Sequence, residues 1–506
     1  MMIPRKAYPA ATIRECEGSL LAAQEFDDQL MMEAAAAVAH AAEAMLQGTD
    51  RRVLLVVGSG GNGGDALYAG QMLIENGADV TAVIPGIPHT RAFEQFTGEV
   101  FRYPDDLDPE FDLLIDGVAG LGGGRPLAPE VYELFLRCDC PVLAVDVPSG
   151  INADTGEAAE ACVSADITVT FGGLRLAHAL APECGTVFVA DIGESIDCDE
   201  TLGELLEYSD EEQLETFLAV NTHLEMQGVP ALPPMPHTMV QRFEPQIHDN
   251  KYTNGVLAIM AGSEDYPGAG ILCTGAALNT NSGLTYYIGA GEPILRNHPE
   301  VVVRESVDKL KKVDAVVIGP GRGECAEELA QVLALDVPVV VDADALTTLA
   351  GSDVLKQAVR KRTAVTILTP HEGEFARLSD ATGTVAERAR ALAEDLRCTV
   401  VLKGRVTAVA EWSDGDVFVA TVNAGCSWGA VPGSGDVLAG IIGASLAAVH
   451  AQYPGAPWEL FTPLGPVCLH ALAAYLSART PAGPAPTRAS KIVDAISLAI
   501  ALQLQG

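Results

Sequence analysis

Short apolar runs, each leading through glycine or aspartate into a helical stretch, recur along this chain from Val53 to Val422 and stop only once. This rhythm constrains the fold more than any single residue, because strands that alternate with helices build a parallel sheet covered on both faces. In the first half the expected strands are "VLLVV" (Val53 to Val57), "ADVTAVI", "FDLLID", "PVLAVDV", "ADITVTF" and "GTVFVADI", after an alanine-rich helical stretch "LMMEAAAAVAHAAEAML". The second half offers "GVLAIMAG", "VDAVVIG", "VPVVVDAD", "AVTILT" and "CTVVLKG", then a hairpin in which "SDGD" turns between alternating runs. Between the halves, from about Asp199 to Glu244, an acidic helical piece precedes "GVPALPPMPHTMV", whose proline density reads as an extended connector. A chain of 506 residues is long for one ordinary domain. The expected division is therefore 1–217, a Pro-rich linker 218–241, and 242–506. No motif is shared between the halves, so they read as two different modules and not as a duplication.

Lys and Arg number 31 against 68 Asp and Glu, a net charge of -37 that repels a phosphate backbone and makes nucleic acid an unsuitable partner. Any anionic ligand must be held by local devices such as helix N-termini, backbone amides or a bound cation. The 11 cysteines are scattered; the close pair Cys138 and Cys140 has neither metal-knuckle nor C-x-x-C spacing, and reduced cytosolic thiols are expected. The N-terminal "MMIPRKAYPAATIRECEG" lacks the apolar core of a signal peptide. No uncharged apolar run reaches the ~18 residues of a membrane span. A soluble, cytoplasmic protein without a membrane partner is expected.

In "VLLVVGSGGNGGDALYAGQML" a buried strand runs through a glycine-rich turn into a helix. Such a turn lets a ligand approach the backbone, and the helix beyond offers free amides. It departs from the usual dinucleotide fingerprint because Asn62 and Asp65 put polar side chains into the mouth. Two further strand ends join it: "LLIDGVAGLGGGRP" carries Asp116, and "VLAVDVPSGINADTG" carries Asp146 and Ser149. An aspartate after a strand commonly only caps a turn. Several polar strand ends gathered at the carboxyl edge of one sheet point to a site. Asn62, Asp116 and Ser149 offer oxygens suited to a hard monovalent or divalent cation.

The second half repeats the logic with "YPGAG", "VVIGPGRG", "VVVDADAL", "TILTPHEGEFARL", "VVLKGRVT" and "AGCSWGAVPGSGDVLAG". Gly433 and Gly435 leave amides facing an anion at a helix N-terminus, and Asp436 adds a base beside it. Lys403, Gly404 and Thr407 suit nucleotide phosphates through a cation, an amide and a hydroxyl. His371 is expected on a loop, and Glu374 serves equally well as the N-terminal charge of the following helix.

The motifs "GSGGNGGDA", "DGVAGLGGGRP" and "DVPSGINADTG", over roughly Tyr8 to Phe217, resemble the NAD(P)H-hydrate epimerase family. The second-half motifs, over roughly Arg242 to Gln505, resemble the NAD(P)H-hydrate dehydratase branch of the ribokinase-like fold. The order of the two is itself a feature of fused repair enzymes. The resemblance implies an α/β protein of two domains, an N-terminal Rossmann-like three-layer α/β/α domain and a C-terminal ribokinase-like domain. It implies interconversion of the R and S hydrates of NADH and NADPH, and dehydration of the S form with ADP or ATP as co-substrate and magnesium alongside. In the first domain potassium would be held by Asn62, Asp116 and Ser149, with Asp146 as the acid/base group. Substrate would be lined by Gly61, Asn62, Gly63, Gly64, Asp65 and Asp146 and by the loop Gly120, Leu121, Gly122, Gly123, Gly124, Arg125 and Pro126. In the second domain Ala269, Gly323, His371 and Asp436 would touch the hydrated nucleotide, with Asp436 catalytic. Lys403, Gly404, Arg405, Val406, Thr407 and Gly435 would hold the adenine nucleotide. Self-association into a homo-oligomer is expected.

The chain departs from the family at three places. Gly61 replaces an asparagine, removing a hydrogen bond worth about 1 kcal/mol. Ala66 replaces a glycine, and "CSWGAVPG" puts Pro432 directly before Gly433, which is expected to alter nucleotide contacts of that loop. Two competing readings remain at this point: a ribokinase-like small-molecule kinase, and a first half that serves as a non-catalytic ligand-binding or scaffold domain.

Overall fold

The computed structural model describes residues 5–102, 107, 110–196, 200–207, 209, 214–218, 247–281, 283–453 and 461–504. They form two compact units, divided between Thr216 and Phe217. The proline-rich stretch 228–240 lies outside the described residues.

In the first unit seven parallel strands lie in the order Glu99–Phe101, Asp79–Val83, Arg52–Val57, Leu113–Gly117, Val142–Val145, Ile167–Phe171, Thr186–Ala190. The "VLLVV" run is buried throughout, as a parallel strand covered on both faces requires. The alanine-rich helix Gln29–Met45 packs on the helix Gly61–Glu75 that leaves the glycine turn. Chain order reverses between Arg52–Val57 and Leu113–Gly117, where Val56 pairs with Asp116. The glycine turn and Asp116 thus meet at the switch point, where open α/β sheets bind ligands.

In the second unit the parallel strands run Val302–Arg304, Leu284–Ile288, Val256–Met260, Ala315–Ile318, Val339–Val341, Thr366–Leu368, Thr399–Leu402. The antiparallel hairpin Val406–Ser413 and Asp416–Asn423 extends that edge. Its turn residues Asp414 and Gly415 both have positive φ, the pairing that a tight hairpin favours. The apolar helix Ser434–Gln452 crosses Pro267–Thr280 so closely that a Cβ on Gly440 would lie 2.2 Å from the Cys273 carbonyl oxygen. Among the described residues this one helix is long and apolar enough to cross a membrane, yet 67% of its most apolar window is buried inside the unit.

Several elements were not anticipated. Leu284–Ile288 and Val302–Arg304 sit beyond the switch point; the second has only three residues, too few to leave a periodic signal. The stretch read as an acidic helical piece divides into a helix, Leu202–Glu207, and a strand, Leu214–Leu218. The strand is fixed by pairing with Arg5–Tyr8 across the length of the unit, a partner that local propensity cannot reveal.

Candidate functional site

At the edge of the first sheet a cleft of about 530 Å³ is lined by Asn62, Asp65, Gly120, Asp146 and Arg175 together with Arg14 and Glu17. Asp146 follows strand Val142–Val145 with φ 65, a left-handed conformation that is costly for a residue with a Cβ. Its backbone is held in place: its amide donates to the Val169 carbonyl at 2.7 Å. His178 contacts its carbonyl oxygen through Nε2 at 2.8 Å. His178 Nδ1 accepts from the Arg175 amide, so Nε2 carries the proton toward Asp146, and burial pushes this imidazole down to about 4, keeping it neutral. The Asp146 carboxylate accepts from the Thr170 hydroxyl at 2.9 Å and pairs with Arg175 Nε at 2.8 Å. Arg175 is fully buried and lies 3.6 Å from Glu17. One guanidinium therefore faces two carboxyl groups, Asp146 and Glu17. Burial, then Asp146 and Glu17, push Asp65 well above the usual carboxylate range, and burial also raises Glu17 against the pull of Arg175.

Behind the cleft, Asp116 is completely buried. It accepts from the Ser149 amide at 2.7 Å, the Ser149 hydroxyl at 2.7 Å and the Val118 amide at 3.1 Å. Burial pushes its carboxyl up to about 6 against these hydrogen bonds. Asn62 donates through Nδ2 to the Val145 carbonyl at 2.6 Å, leaving its amide oxygen available. A Cβ on Gly120 would come within 2.4 Å of that amide nitrogen, so any side chain there would displace Asn62. Ser149 thus bonds Asp116 directly, and Asn62 and Ser149 both bond the backbone of Ala119.

The rest of the predicted lining divides. Gly61, Leu121 and Gly122 line the cleft; Gly63, Gly64, Gly123, Gly124, Arg125 and Pro126 are not among its lining residues. Gly63 and Gly64 are buried instead, and Cβ atoms there would strike the Gly58 carbonyl oxygen at 2.1 Å and Met31 Sδ at 2.5 Å, so close packing requires them to be glycine. Gly124 has φ 89 and lies against Asn152, a turn within the loop itself. Ala66 packs on Gly117, which accommodates its methyl group without a Cβ of its own.

In the second unit the Gly-Ser-Gly-Asp turn separates two clefts. One, about 460 Å³, is lined by Lys403, Gly404, Arg405, Thr407, Ser434, Gly435 and His470 among others. The second, about 590 Å³, is lined by Tyr266, Ala269, Gly321, Asp344, Pro432, Gly433 and Asp436. Asp436 stands in the first turn of helix Ser434–Gln452 and has no hydrogen bond or ion pair among the described residues. Burial, then Asp342, push its carboxyl up to about 7 in spite of Lys403. Lys403 Nζ donates to Asp342 at 2.7 Å and lies 3.8 Å from Glu374. Burial alone would lower this ammonium, but Asp342 and Glu374 hold it above its ordinary value. Asp342 also accepts from the Thr369 hydroxyl at 2.7 Å.

Four expectations change here. His371 lines the Lys403 cleft, not the Asp436 cleft, because its backbone bridges to Lys403 beside it. Gly323 lines neither cleft; its amide donates to Asp344 at 2.8 Å, which turns that carboxylate at the cleft wall. Val406 is buried as the first residue of its strand and is absent from the lining. Pro432, expected to disturb the Lys403 side, faces the Ala269 side. The turn closes without it, since the Ser434 amide donates to the Val431 carbonyl at 3.2 Å. Gly433, at φ 84 and ψ -3, has the geometry of the third residue of a type II turn, which favours proline before it. Arg175, Glu17, Asp342 and His470 were missed; each meets the site through contacts distant in sequence.

Two parallel-sheet units, each with a carboxylate in a cleft at the strand ends, make this an α/β enzyme with two active centres. Residues 27–177 match the family described as YjeF-related protein N-terminus, and residues 257–492 match the family described as NAD(P)H-hydrate dehydratase. Over 98% of both chains, this one is 38% identical to the bifunctional NAD(P)H-hydrate repair enzyme Nnr of Corynebacterium glutamicum. It is 40% identical to the protein of that name in Mycobacterium leprae, over 98% of this chain and 99% of the relative. Among solved structures, an ADP/ATP-dependent NAD(P)H-hydrate dehydratase from Bacillus subtilis is 25% identical with a TM-score of 0.43, covering 53% of this chain and 96% of that one. The chain belongs to the bifunctional NAD(P)H-hydrate repair enzyme family.

Proposed function

We infer that the first unit interconverts the R and S hydrates of NADH and NADPH, and that the second dehydrates the S form at the expense of ADP or ATP. The observation that carries the reading is the placing of Asp436 in one cleft while the adjacent Gly435 lines the other. Substrate and nucleotide then meet across a single turn of backbone. We assign residues 1–217 and 242–506 to the two activities, with 218–241 as linker.

In the second unit Asp436 takes the proton of the ring hydroxyl as its oxygen attacks the terminal phosphoryl group of the nucleotide. The phosphorylated oxygen then leaves as the ring nitrogen pushes its electron pair toward the carbon, and loss of the neighbouring ring proton restores the double bond. The helix N-terminus at Gly435 and the Lys403 ammonium receive the phosphate charge. No carboxylate lines the Lys403 cleft among the described residues, so magnesium would be held by nucleotide phosphates and water. In the first unit Asp146, held by Arg175 and Thr170, moves the proton of the substrate hydroxyl.

The oxygens of Asn62, Asp116 and Ser149 fit potassium: the set is all oxygen with one carboxylate, and that buried carboxylate bonds to Ser149 and Val118 and to no cationic side chain among the described residues. When bound, the ion supplies the positive charge that lets Asp116 remain ionised. The ten described cysteines are free thiols, which supports a cytoplasmic location, and we propose a homo-oligomer.

A mixture of R and S NADH hydrates, incubated with the protein and ADP, tests both halves. Complete recovery of the NADH absorbance band is expected. Recovery that stops at the S fraction removes the epimerase assignment, and no recovery removes the dehydratase assignment.

A further inference from the structure

Resting on the nucleotide reading of the Lys403 cleft, we propose that Ser434 donates a hydrogen bond to a nucleotide phosphate, and that His470 is the positioning residue that orients its hydroxyl. Ser434 Oγ and His470 Nε2 are 2.9 Å apart, and both side chains line the cleft with Lys403 and Gly435. They come from different elements, the first residue of helix Ser434–Gln452 and the middle of helix Leu464–Ser477. His470 stands on an otherwise apolar helix among Leu469, Ala471 and Leu472, where an imidazole without a polar partner would be costly. Gly429 leaves the pair open on one side: a Cβ there would stand 3.7 Å from Ser434 Oγ and 3.8 Å from His470 Cε1.

The direction of the relay follows from chemistry. Burial pushes His470 down to about 4, so the ring is neutral at pH 7 and has one N–H to give. A phosphate oxygen only accepts, so when it is bound the hydroxyl hydrogen points to the phosphate and His470 Nε2–H donates to Ser434 Oγ. Such a chain of donors polarises along its length. This neutral contribution matters because Lys403, the cation beside Gly435, is already shared with Asp342 and Glu374, and the whole chain carries a charge of -37.

ADP dissociation constants for the wild type, Ser434→Ala, His470→Ala and the double variant test the relay. Each single change should weaken ADP about 10-fold, as loss of a hydrogen bond to a charged group does. The double variant should bind no more weakly than Ser434→Ala, while epimerisation, assigned to the other unit, stays unchanged. His470→Asn, which keeps an N–H donor, should recover part of the affinity and serves as the second variant should the alanine form not fold. Unchanged ADP binding in the single variants, or losses that multiply in the double variant, would overturn the proposal. Failure of the wild type to bind ADP would instead remove the nucleotide reading beneath it.

Discussion

Asp146 and Asp436 both stand where chain leaves the carboxyl edge of a parallel sheet, yet they are held in opposite ways. Asp146 is pinned at side chain and backbone, by Arg175 at 2.8 Å, Thr170 at 2.9 Å and His178 at 2.8 Å. Asp436 touches no partner among the described residues, and its nearest cation is committed to Asp342 at 2.7 Å. The first arrangement fixes charge and direction before substrate arrives. The second leaves a carboxyl whose charge depends on what enters the cleft, which suits a step in which an anionic phosphate and a proton acceptor must share one place.

The sharpest way to break the comparison is Asp436→Asn. Loss of the base should lower dehydration about 10³-fold, within the usual range for a general base, while epimerisation stays intact. Loss of both activities would show that the centres are not independent. In the wild type, dehydration should rise with pH through about 7 as Asp436 ionises. Stability runs the other way: a carboxyl raised above its unfolded value favours the fold while protonated and loses that contribution as pH rises through about 7. Asp436→Asn should therefore gain most over the wild type at pH 8, less at pH 5, and nothing below the ordinary carboxylate range; an equal gain at pH 8 and pH 5 would disconnect Asp436 from the shift.

Arg175→Ala tests the pinned side. Removing one partner strands the Asp146 charge in a buried site, which typically costs about 3–5 kcal/mol. The first unit should unfold at markedly lower denaturant, with epimerisation lost and the dehydratase activity retained. A denaturation midpoint that did not move would mean that solvent or another cation replaces the guanidinium.

Gly120→Ala should be milder. A methyl group 2.4 Å from Asn62 Nδ2 must displace that side chain, and overpacking of this kind costs about 1–3 kcal/mol. Epimerisation should fall about 10-fold at low potassium and recover in part at high potassium. A fall that ignores potassium would show that Asn62 does not act through the cation.

What could be read from sequence was what the chain states locally. Glycines and acids that follow strands mark a sheet edge because turn geometry is set within a few residues, and Asn62, Asp116, Asp146 and Asp436 were all legible in this way. Arg175 was not: "LRLAH" looks like any short amphipathic turn, and its meaning lies in Asp146, 29 positions away by the numbering of the pair. Lys403 was seen, but its pairing with Asp342 across 61 residues reduces the cation expected for phosphate. Pro432 shows the same limit: its effect on the loop was expected on the Lys403 side, but which cleft it faces depends on the turn closed by Ser434 and Val431.

The smallest expected effect concerns Gly61, where the resemblance implies asparagine. Gly61 opens helix Gly61–Glu75, is exposed, lines the first cleft and has nothing within 4 Å of where a Cβ would stand. Gly61→Asn therefore meets no obstacle, in contrast to Gly120→Ala on the facing loop. An added amide reaching the substrate is worth about 1 kcal/mol, so KM for the hydrate in epimerisation should fall about 5-fold while kcat and dehydration are unchanged. If KM rose instead, the open space at Gly61 would be part of the substrate's own volume, and the departure from the family would be an adaptation of the cleft and not a lost contact.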